Sequence, residues 1–210
     1  MEQKLDQLHI IGLVGATGSG KTTLANMMEK RLGFERLHMG QPIKDMLKAL
    51  GLTDEQLTGP PEVRSIGIPL LAGKSPRYAM QTLGTGWGRK LISEGIWAHA
   101  VSERLAHKVN EGSRRIVIDD LRFPNDWRVI VEAGGTVIKV KNPNTSKKRS
   151  LGDRIAQKSK FIRFLGNAMR LNLLHETEFH WYDAPSSITI LNDGSTDDLF
   201  ETFRKQYTIA

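Results

Sequence analysis

The most informative stretch of this sequence is Gly15-Ala16-Thr17-Gly18-Ser19-Gly20-Lys21-Thr22. It has the spacing G-x-x-x-x-G-K-[ST] of a phosphate-binding loop, and it lies between an apolar run at 8–14 and a helix-like stretch at 22–31. Glycines let the backbone turn closely around an anion, and successive N–H groups and the start of the next helix supply positive charge. The pattern therefore predicts a nucleotide site.

Two side chains of this loop have predicted roles in holding a nucleotide. Lys21 is expected to neutralise the β- and γ-phosphates of ATP, and the Thr22 hydroxyl is expected to bind Mg²⁺. A glycine-rich turn with a chance lysine is the alternative, and the order strand, loop, helix argues against it. The residues predicted to bind the nucleotide are Gly15, Ala16, Thr17, Gly18, Ser19, Gly20, Lys21, Thr22 and Thr23.

Composition limits the class of protein. The chain has 210 residues, no cysteine and a formal net charge of +7. The length predicts one domain over 1–210. The lack of cysteine excludes disulfides and thiolate sites and is compatible with a reducing compartment. It has no charged-then-apolar leader and no apolar run near the roughly 20 residues that span a bilayer, so we expect a soluble, cytoplasmic protein without a membrane partner. The basic balance favours an anionic ligand such as a nucleotide, although a nucleic acid or a membrane surface would also satisfy it.

Strand-like and helix-like patterns alternate along the chain. Apolar runs predict strands at 8–14, 35–39, 115–119, 136–140 and 188–191, and helical spacing predicts helices at 22–31, 42–50, 77–92, 96–109, 126–133 and 197–207. Three glycines weaken the pattern of the helix at 77–92. The alternation predicts an α/β fold with a doubly wound parallel sheet of about five strands.

Two long segments interrupt the predicted core, which covers about 8–39, 113–140 and 187–207. They lie at about 40–112 and 141–186 and follow predicted strands, on the side where such sheets bind ligands. Phosphoryl transfer between two small molecules needs an acceptor pocket and a cover that excludes water. We therefore interpret the first segment as a helical substrate-binding insertion and the second as a lid-like insertion.

Three further stretches carry recognisable patterns. They are SPRYAMQTLGTGWGR at 75–89, DLRFPND at 120–126 and ILNDGS at 190–195. In this order, and together with the phosphate loop, they resemble the deoxynucleoside monophosphate kinases found widely in bacteriophages. The resemblance spans about residues 8–205. It implies a P-loop nucleoside monophosphate kinase-like fold, ATP and Mg²⁺ as cofactors, a deoxynucleoside monophosphate as acceptor, and a homodimer in the cytoplasm, which is the host cytoplasm if a phage encodes the chain.

The stretch at 75–89 contains residue types that suit a nucleotide acceptor. The Arg77 guanidinium is a planar fork suited to a phosphate, and Gln81, one helical turn later, can read a base edge. Trp87 either stacks on a base or packs in a core, and Arg89 either binds a phosphate or lies on a solvated helix face. The predicted substrate-binding residues are Lys44, Arg77, Gln81, Thr85, Trp87 and Arg89.

The predicted strand at 115–119 ends in two carboxylates, Asp119 and Asp120, beside the phosphate loop. A carboxylate there can bind Mg²⁺ through water, orient the acceptor or restrain a nearby cation. The family pattern favours Asp120 as the functional one, and it assigns no role to Asp119. By the same resemblance Arg122 would stabilise the transferred phosphoryl group, although a surface pair with Asp120 is the alternative. The predicted catalytic residues are Lys21, Asp120 and Arg122, and the predicted metal ligands are Thr22 and Asp120.

The remaining candidates are open to more than one interpretation. Lys44 lies in a Pro-Ile-Lys element similar to one of the family, but an exposed helix face explains it equally well. His175 and His180 are five residues apart and so do not match the metal motif H-E-x-x-H. A basic lid over ATP and a basic surface that touches nucleic acid are alternative readings of Lys147, Lys148, Arg149, Arg154, Lys158, Lys160, Arg163 and Arg170.

The predicted reaction transfers the γ-phosphoryl group of ATP to a deoxynucleoside monophosphate in deoxynucleotide biosynthesis. A phosphomevalonate kinase-like enzyme and a P-loop ATPase that binds nucleic acid remain alternatives, because a fold does not fix a substrate. The sequence has no recognised nucleic-acid motif, so nucleic acid is not a predicted partner.

Overall fold

The computed structural model describes residues 7–143 and 184–207. The predictions for the basic residues 147–170 and for the two histidines of 175–180 therefore lie outside the described residues. The chain divides into two compact units, which we call the core unit (Met1–Arg36 and Ser113–Ala210) and the helical unit (Leu37–Gly112). The organisation as a single kinase domain stays a prediction.

A five-stranded parallel sheet forms the centre of the core unit. Its strands are β1 His9–Val14, β2 Glu35–Leu37, β3 Arg115–Ile118, β4 Thr136–Lys141 and β5 Ile188–Leu191. The order across the sheet is β2-β3-β1-β4-β5, and β1 pairs in parallel with both β3 and β4. Every residue of β1 is buried, as expected for a central strand covered on both faces. The predicted α/β fold with about five parallel strands is confirmed.

Helices connect these strands and make up the helical unit. Among the described residues, none of them is long and apolar enough to cross a membrane. The α-helices are α1 Lys21–Leu32, α2 Gln41–Ala49, α3 Asp54–Thr58, α4 Pro61–Ser65, α5 Pro76–Gln81, α6 Ile96–Asn110, α7 Pro124–Glu132 and α8 Thr196–Gln206, with a 3₁₀ turn at Pro69–Leu71 and a π-helix at Thr82–Ile92.

Helix α1 is fixed by its apolar face. Leu24 and Met28 of this face are fully buried and pack with Phe200 and Phe203 of α8 and with the strands of the sheet. Burying a side chain of this size stabilises a fold by about 1.5–3 kcal/mol. The opposite face of α1 is therefore left to polar residues, which matter for the site described below.

The helical unit has its own small core. Leu47, Leu52 and Leu57 are buried there, and Ile43 and Met80 pack against them. Helix α3 begins with a reciprocal capping box, in which the Thr53 hydroxyl accepts from the Gln56 N–H and the Gln56 side chain accepts from the Thr53 N–H. These local signals explain why the first insertion folds as short helices.

The predicted helix at 77–92 differs from expectation in its second half, where it is a π-helix rather than an α-helix. The indole of Trp97, 3% exposed, lies against this segment, and its Nε1 donates a 2.7 Å hydrogen bond to the Gly84 carbonyl. A β-carbon at Gly88 would lie 2.3 Å from Trp97 Cζ2. Gly88, one of the three glycines that weakened the sequence pattern, therefore makes room for a buried tryptophan.

Candidate phosphate-binding site

The loop after β1 has a backbone that only glycine can form at two positions. Gly15 has φ +148°, and a β-carbon there would lie 2.2 Å from the Val140 carbonyl oxygen. Gly20 has φ +104°, and a β-carbon there would lie 2.4 Å from Asn192 Nδ2. Both positive φ and close approach exclude other side chains. The loop thus packs directly against the ends of β4 and β5.

Two side chains of the loop are arranged around its backbone. The Lys21 ammonium donates hydrogen bonds to the carbonyl oxygens of Gly15 at 2.7 Å and Ala16 at 2.8 Å. The Ser19 hydroxyl is buried, and it has no hydrogen-bond partner within the described part of the chain. Helix α1 begins at Lys21 without a capping side chain, and its own first turn contains no acidic residue that would offset the positive end of the helix dipole.

Asn192 supports the loop from the end of β5. Its Nδ2 donates a 2.9 Å hydrogen bond to the Ser19 carbonyl, and its backbone N–H donates to the Lys141 carbonyl at 2.7 Å. The same side chain fills the space beside Gly20. Asn192 belongs to the stretch at 190–195 that resembles the family, but no sequence pattern predicted its contact with the loop.

The carboxylate that contacts the loop threonine is Asp119. It follows β3 and is 4% exposed, and its Oδ2 accepts a 3.1 Å hydrogen bond from the Thr22 hydroxyl. Carboxylate oxygens of Asp119 and Asp120 lie within 4.8 Å of each other. Sequence reasoning left Asp119 without a role, whereas the proposed role of Asp120 stays a prediction. Hydroxyl and carboxylate oxygens together form a donor set that suits Mg²⁺.

Arg36, which the sequence analysis did not single out, is bound to this carboxylate. Its Nε donates to Asp119 Oδ1 at 3.2 Å, and its Nη2 donates to Asp119 Oδ2. Its Nη1 donates to Asn26 Oδ1 at 2.6 Å and to Glu29 Oε2 at 3.2 Å. Burial by itself would lower the pKa of Arg36, but the hydrogen bonds and charges of Asp119 and Glu29 outweigh it and raise this pKa.

The backbone that carries Arg122 is held by a buried carboxylate. Asp126 is 1% exposed, and its Oδ2 accepts hydrogen bonds from the backbone N–H groups of Arg122 at 2.9 Å and Phe123 at 3.0 Å. Asp126 lies in the first turn of α7, where a carboxylate also interacts favourably with the helix dipole. The Arg122 residue itself is exposed.

The predicted acceptor residues lie in the helical unit. Helix α5 begins at Pro76, and the hydroxyl of Ser75 caps it by accepting from the Tyr78 N–H at 3.2 Å. Arg77 and Gln81 are exposed and one helical turn apart. A guanidinium and an amide therefore lie on one accessible helix face.

The other predicted acceptor residues have more varied environments. Trp87 is 37% exposed, so it is not a fully buried core residue. The centroid of its ring lies 6.1 Å from that of the Trp97 ring. Arg89 Nη1 donates to the Glu94 carbonyl at 3.0 Å. Lys44 and Thr85 are half-buried.

Solved structures share this architecture. The APS kinase of Mycobacterium tuberculosis aligns with 95% of this chain and 97% of its own length, with a TM-score of 0.50 and 13% sequence identity. At this low identity the likeness concerns the fold alone.

One curated relative extends the comparison to sequence. No protein-family model matches the chain. A protein of Acanthamoeba polyphaga mimivirus named "Putative deoxynucleotide monophosphate kinase" is 34% identical over 145 residues, which cover 64% of this chain and 74% of that protein. The fold, the phosphate loop and this relative together define a P-loop kinase, an enzyme that transfers phosphoryl groups. The chain belongs to the same family as the mimivirus protein.

Proposed function

We propose that this chain is a deoxynucleoside monophosphate kinase, which transfers the γ-phosphoryl group of ATP to a deoxynucleoside monophosphate and yields a deoxynucleoside diphosphate and ADP. The observation that carries the acceptor class is the 34% identity to the mimivirus protein of that name. The resemblance of the stretches at 75–89 and 120–126 to the bacteriophage enzymes supports it. The proposal includes a homodimer that acts in the cytoplasm during deoxynucleotide biosynthesis.

The phosphate loop fits the triphosphate of ATP. A β-carbon at Gly15 would fill the turn, and the orphaned hydroxyl of Ser19 lies against it, 2.9 Å from that position. The Lys21 ammonium is held by loop carbonyls and would neutralise the β- and γ-phosphates. Backbone N–H groups from Gly15 to Thr23 would bind the phosphate oxygens.

The metal side of the site fits Mg²⁺. The proposed ligands are Thr22 and Asp120. The hydrogen bond between Thr22 and Asp119 supports a role for Asp119 through the threonine or through a water molecule. When bound, Mg²⁺ supplies charge neutralisation of the phosphate oxygens. The hydrogen bond to Asp119 would orient the Thr22 hydroxyl oxygen for that purpose.

The chain's own contribution to the reaction is positioning and charge. An acceptor phosphate is already anionic at neutral pH, so no strong general base is needed. Arg122 would stabilise the transferred group, and Asp126 holds the backbone that carries it. The residues proposed to bind the acceptor are Lys44, Arg77, Gln81, Thr85, Trp87 and Arg89.

The test is an acceptor panel with purified protein, ATP and Mg²⁺. ADP formation is measured with the four common deoxynucleoside monophosphates, the matching ribonucleotides and phosphomevalonate, and without acceptor in the presence and absence of DNA. The proposal predicts turnover that requires a deoxynucleotide and is lost in Lys21→Ala. Turnover only with phosphomevalonate, or hydrolysis without acceptor that rises with DNA, would replace it by one of the alternatives.

A further inference from the structure

A continuous hydrogen-bonded chain links helix α1 to the end of β3. Thr22, Asn26 and Glu29 are spaced four and three residues apart, so they lie on one face of α1. Arg36 spans from this face to Asp119, with one guanidinium nitrogen on Asn26 and Glu29 and the other two on the carboxylate. The Arg36 side chain is only 14% exposed. The planar guanidinium fork makes these hydrogen bonds geometrically specific.

The direction of the Thr22 hydrogen bond follows from this arrangement. An ionised carboxylate can only accept, so the Thr22 hydroxyl donates its proton to Asp119 Oδ2 at 3.1 Å. The lone pairs of the threonine oxygen then remain for a cation. If the carboxylate turned, the hydroxyl would lose the partner that sets this orientation.

We propose that Arg36 is a positioning residue of the nucleotide site, which holds both oxygens of Asp119 and thereby keeps the Thr22 oxygen oriented as a ligand for the metal ion of the donor nucleotide. This inference rests on the nucleotide site of the proposed function and not on the identity of the acceptor. It assigns to Arg36 a role that is exerted through Asp119. Replacement of a residue that orients a metal ligand typically lowers metal affinity by about 10- to 100-fold.

The test is a binding measurement that does not depend on turnover. The dissociation constant of the non-hydrolysable ATP analogue AMPPNP is measured by calorimetry with saturating Mg²⁺ and with EDTA, and the ratio of the two values gives the gain due to the metal. For Arg36→Gln we expect this gain to fall by about tenfold or more. The metal-free affinity should stay within about twofold, because Lys21 and the loop backbone are unchanged.

Two further variants separate positioning from stability. Arg36→Lys keeps the positive charge but lacks the planar fork, so we expect an intermediate gain, and this variant carries the test if Arg36→Gln does not fold. Met28→Ala is the matched control, because Met28 is fully buried on the opposite side of α1 and its truncation lowers stability without touching Asp119. It should keep the full gain from Mg²⁺.

The outcomes discriminate between this inference and the proposed function. An unchanged gain from Mg²⁺ in a folded Arg36 variant, or an equal fall in Met28→Ala, would overturn the positioning role while leaving the nucleotide site intact. Failure of the unaltered protein to bind AMPPNP under either condition would overturn the proposed function, and the inference with it.

Discussion

Asn192 and Ser19 are joined by a 2.9 Å hydrogen bond from the side-chain amide to the carbonyl oxygen, across 173 positions of sequence. The contact connects the end of β5 to the middle of the phosphate loop. Since the carbonyl of Ser19 is fixed, the peptide that follows it is fixed as well, and its N–H belongs to Gly20. The contact therefore supports the shape of the loop at Gly20.

Replacement of Asn192 should weaken nucleotide binding. Asn192→Ala removes a hydrogen bond worth about 1 kcal/mol, so we expect the dissociation constant of ADP to rise by about fivefold. Asn192→Asp should be worse, because it sets a carboxylate oxygen against a carbonyl oxygen. Asp193→Asn alters an exposed neighbour and serves as the control. Equal affinities for all three variants would show that the contact does not support the loop.

Lys21 and Arg122 should both be required for turnover. Lys21→Ala and Arg122→Ala are each expected to lower kcat/KM by about 100-fold or more, because each removes positive charge from the transferred phosphoryl group. Circular dichroism and thermal unfolding should show that the fold is kept. Normal turnover in either variant would remove that residue from the proposed catalytic set.

Asp126 should act on the reaction through Arg122. Asp126→Ala frees two backbone N–H groups, so we expect a loss of stability of about 1–3 kcal/mol and a fall in kcat that is smaller than for Arg122→Ala. In the Arg122→Ala background the same change should lower stability but not kcat. A further fall in kcat there would mean that Asp126 acts by another route.

Gly88 should be essential to the π-helix. A β-carbon there would overlap the buried Trp97 ring, so Gly88→Ala is expected to lower the free energy of unfolding by about 1–3 kcal/mol. Gly86→Ala is a matched control, because its nearest neighbour is Thr82 Cγ2 at an ordinary 3.7 Å. Urea unfolding of the two variants measures the difference. Equal stabilities would contradict the packing of Trp97 against Gly88.

Stability should fall with acid partly because of His9. Burial, and then the charge of Arg115, lower the pKa of His9 from its ordinary value of 6.5. The unfolded chain therefore binds a proton more readily, so the contribution is present above about pH 6.5 and is lost as the pH falls towards the folded-state pKa. His9→Gln should flatten the dependence of unfolding free energy between about pH 7.5 and about pH 5.5. An unaltered slope would count against this assignment.

The sequence was sufficient to predict the parts of the fold that depend on local pattern. The apolar run before Gly15 became the buried β1, and the alternation of strands and helices became a five-stranded parallel sheet. The phosphate loop was predicted because its glycines and Lys21 stand at fixed spacing. The π-helix could not be predicted, because it depends on Trp97, which lies beyond the segment that it shapes.

Sequence patterns also did not predict the residues that support the site. Asp119 and Asp120 are adjacent acids, and only the structure distinguishes the one that accepts from Thr22. Arg36 lies in a short strand with no motif around it. The polar residues Asn26 and Glu29 on one face of α1 were the available sequence signal for this contact. Their spacing does not show that they bind Arg36.

The fate of the labelled γ-phosphoryl group of ATP shows whether this chain is a deoxynucleoside monophosphate kinase. With deoxynucleoside monophosphate in excess, we expect the label to leave ATP and to appear in the deoxynucleoside diphosphate in an amount equal to the ADP formed, and we expect Lys21→Ala to abolish the transfer. Label that appears as inorganic phosphate, with none in a deoxynucleotide product, would exclude the kinase reaction.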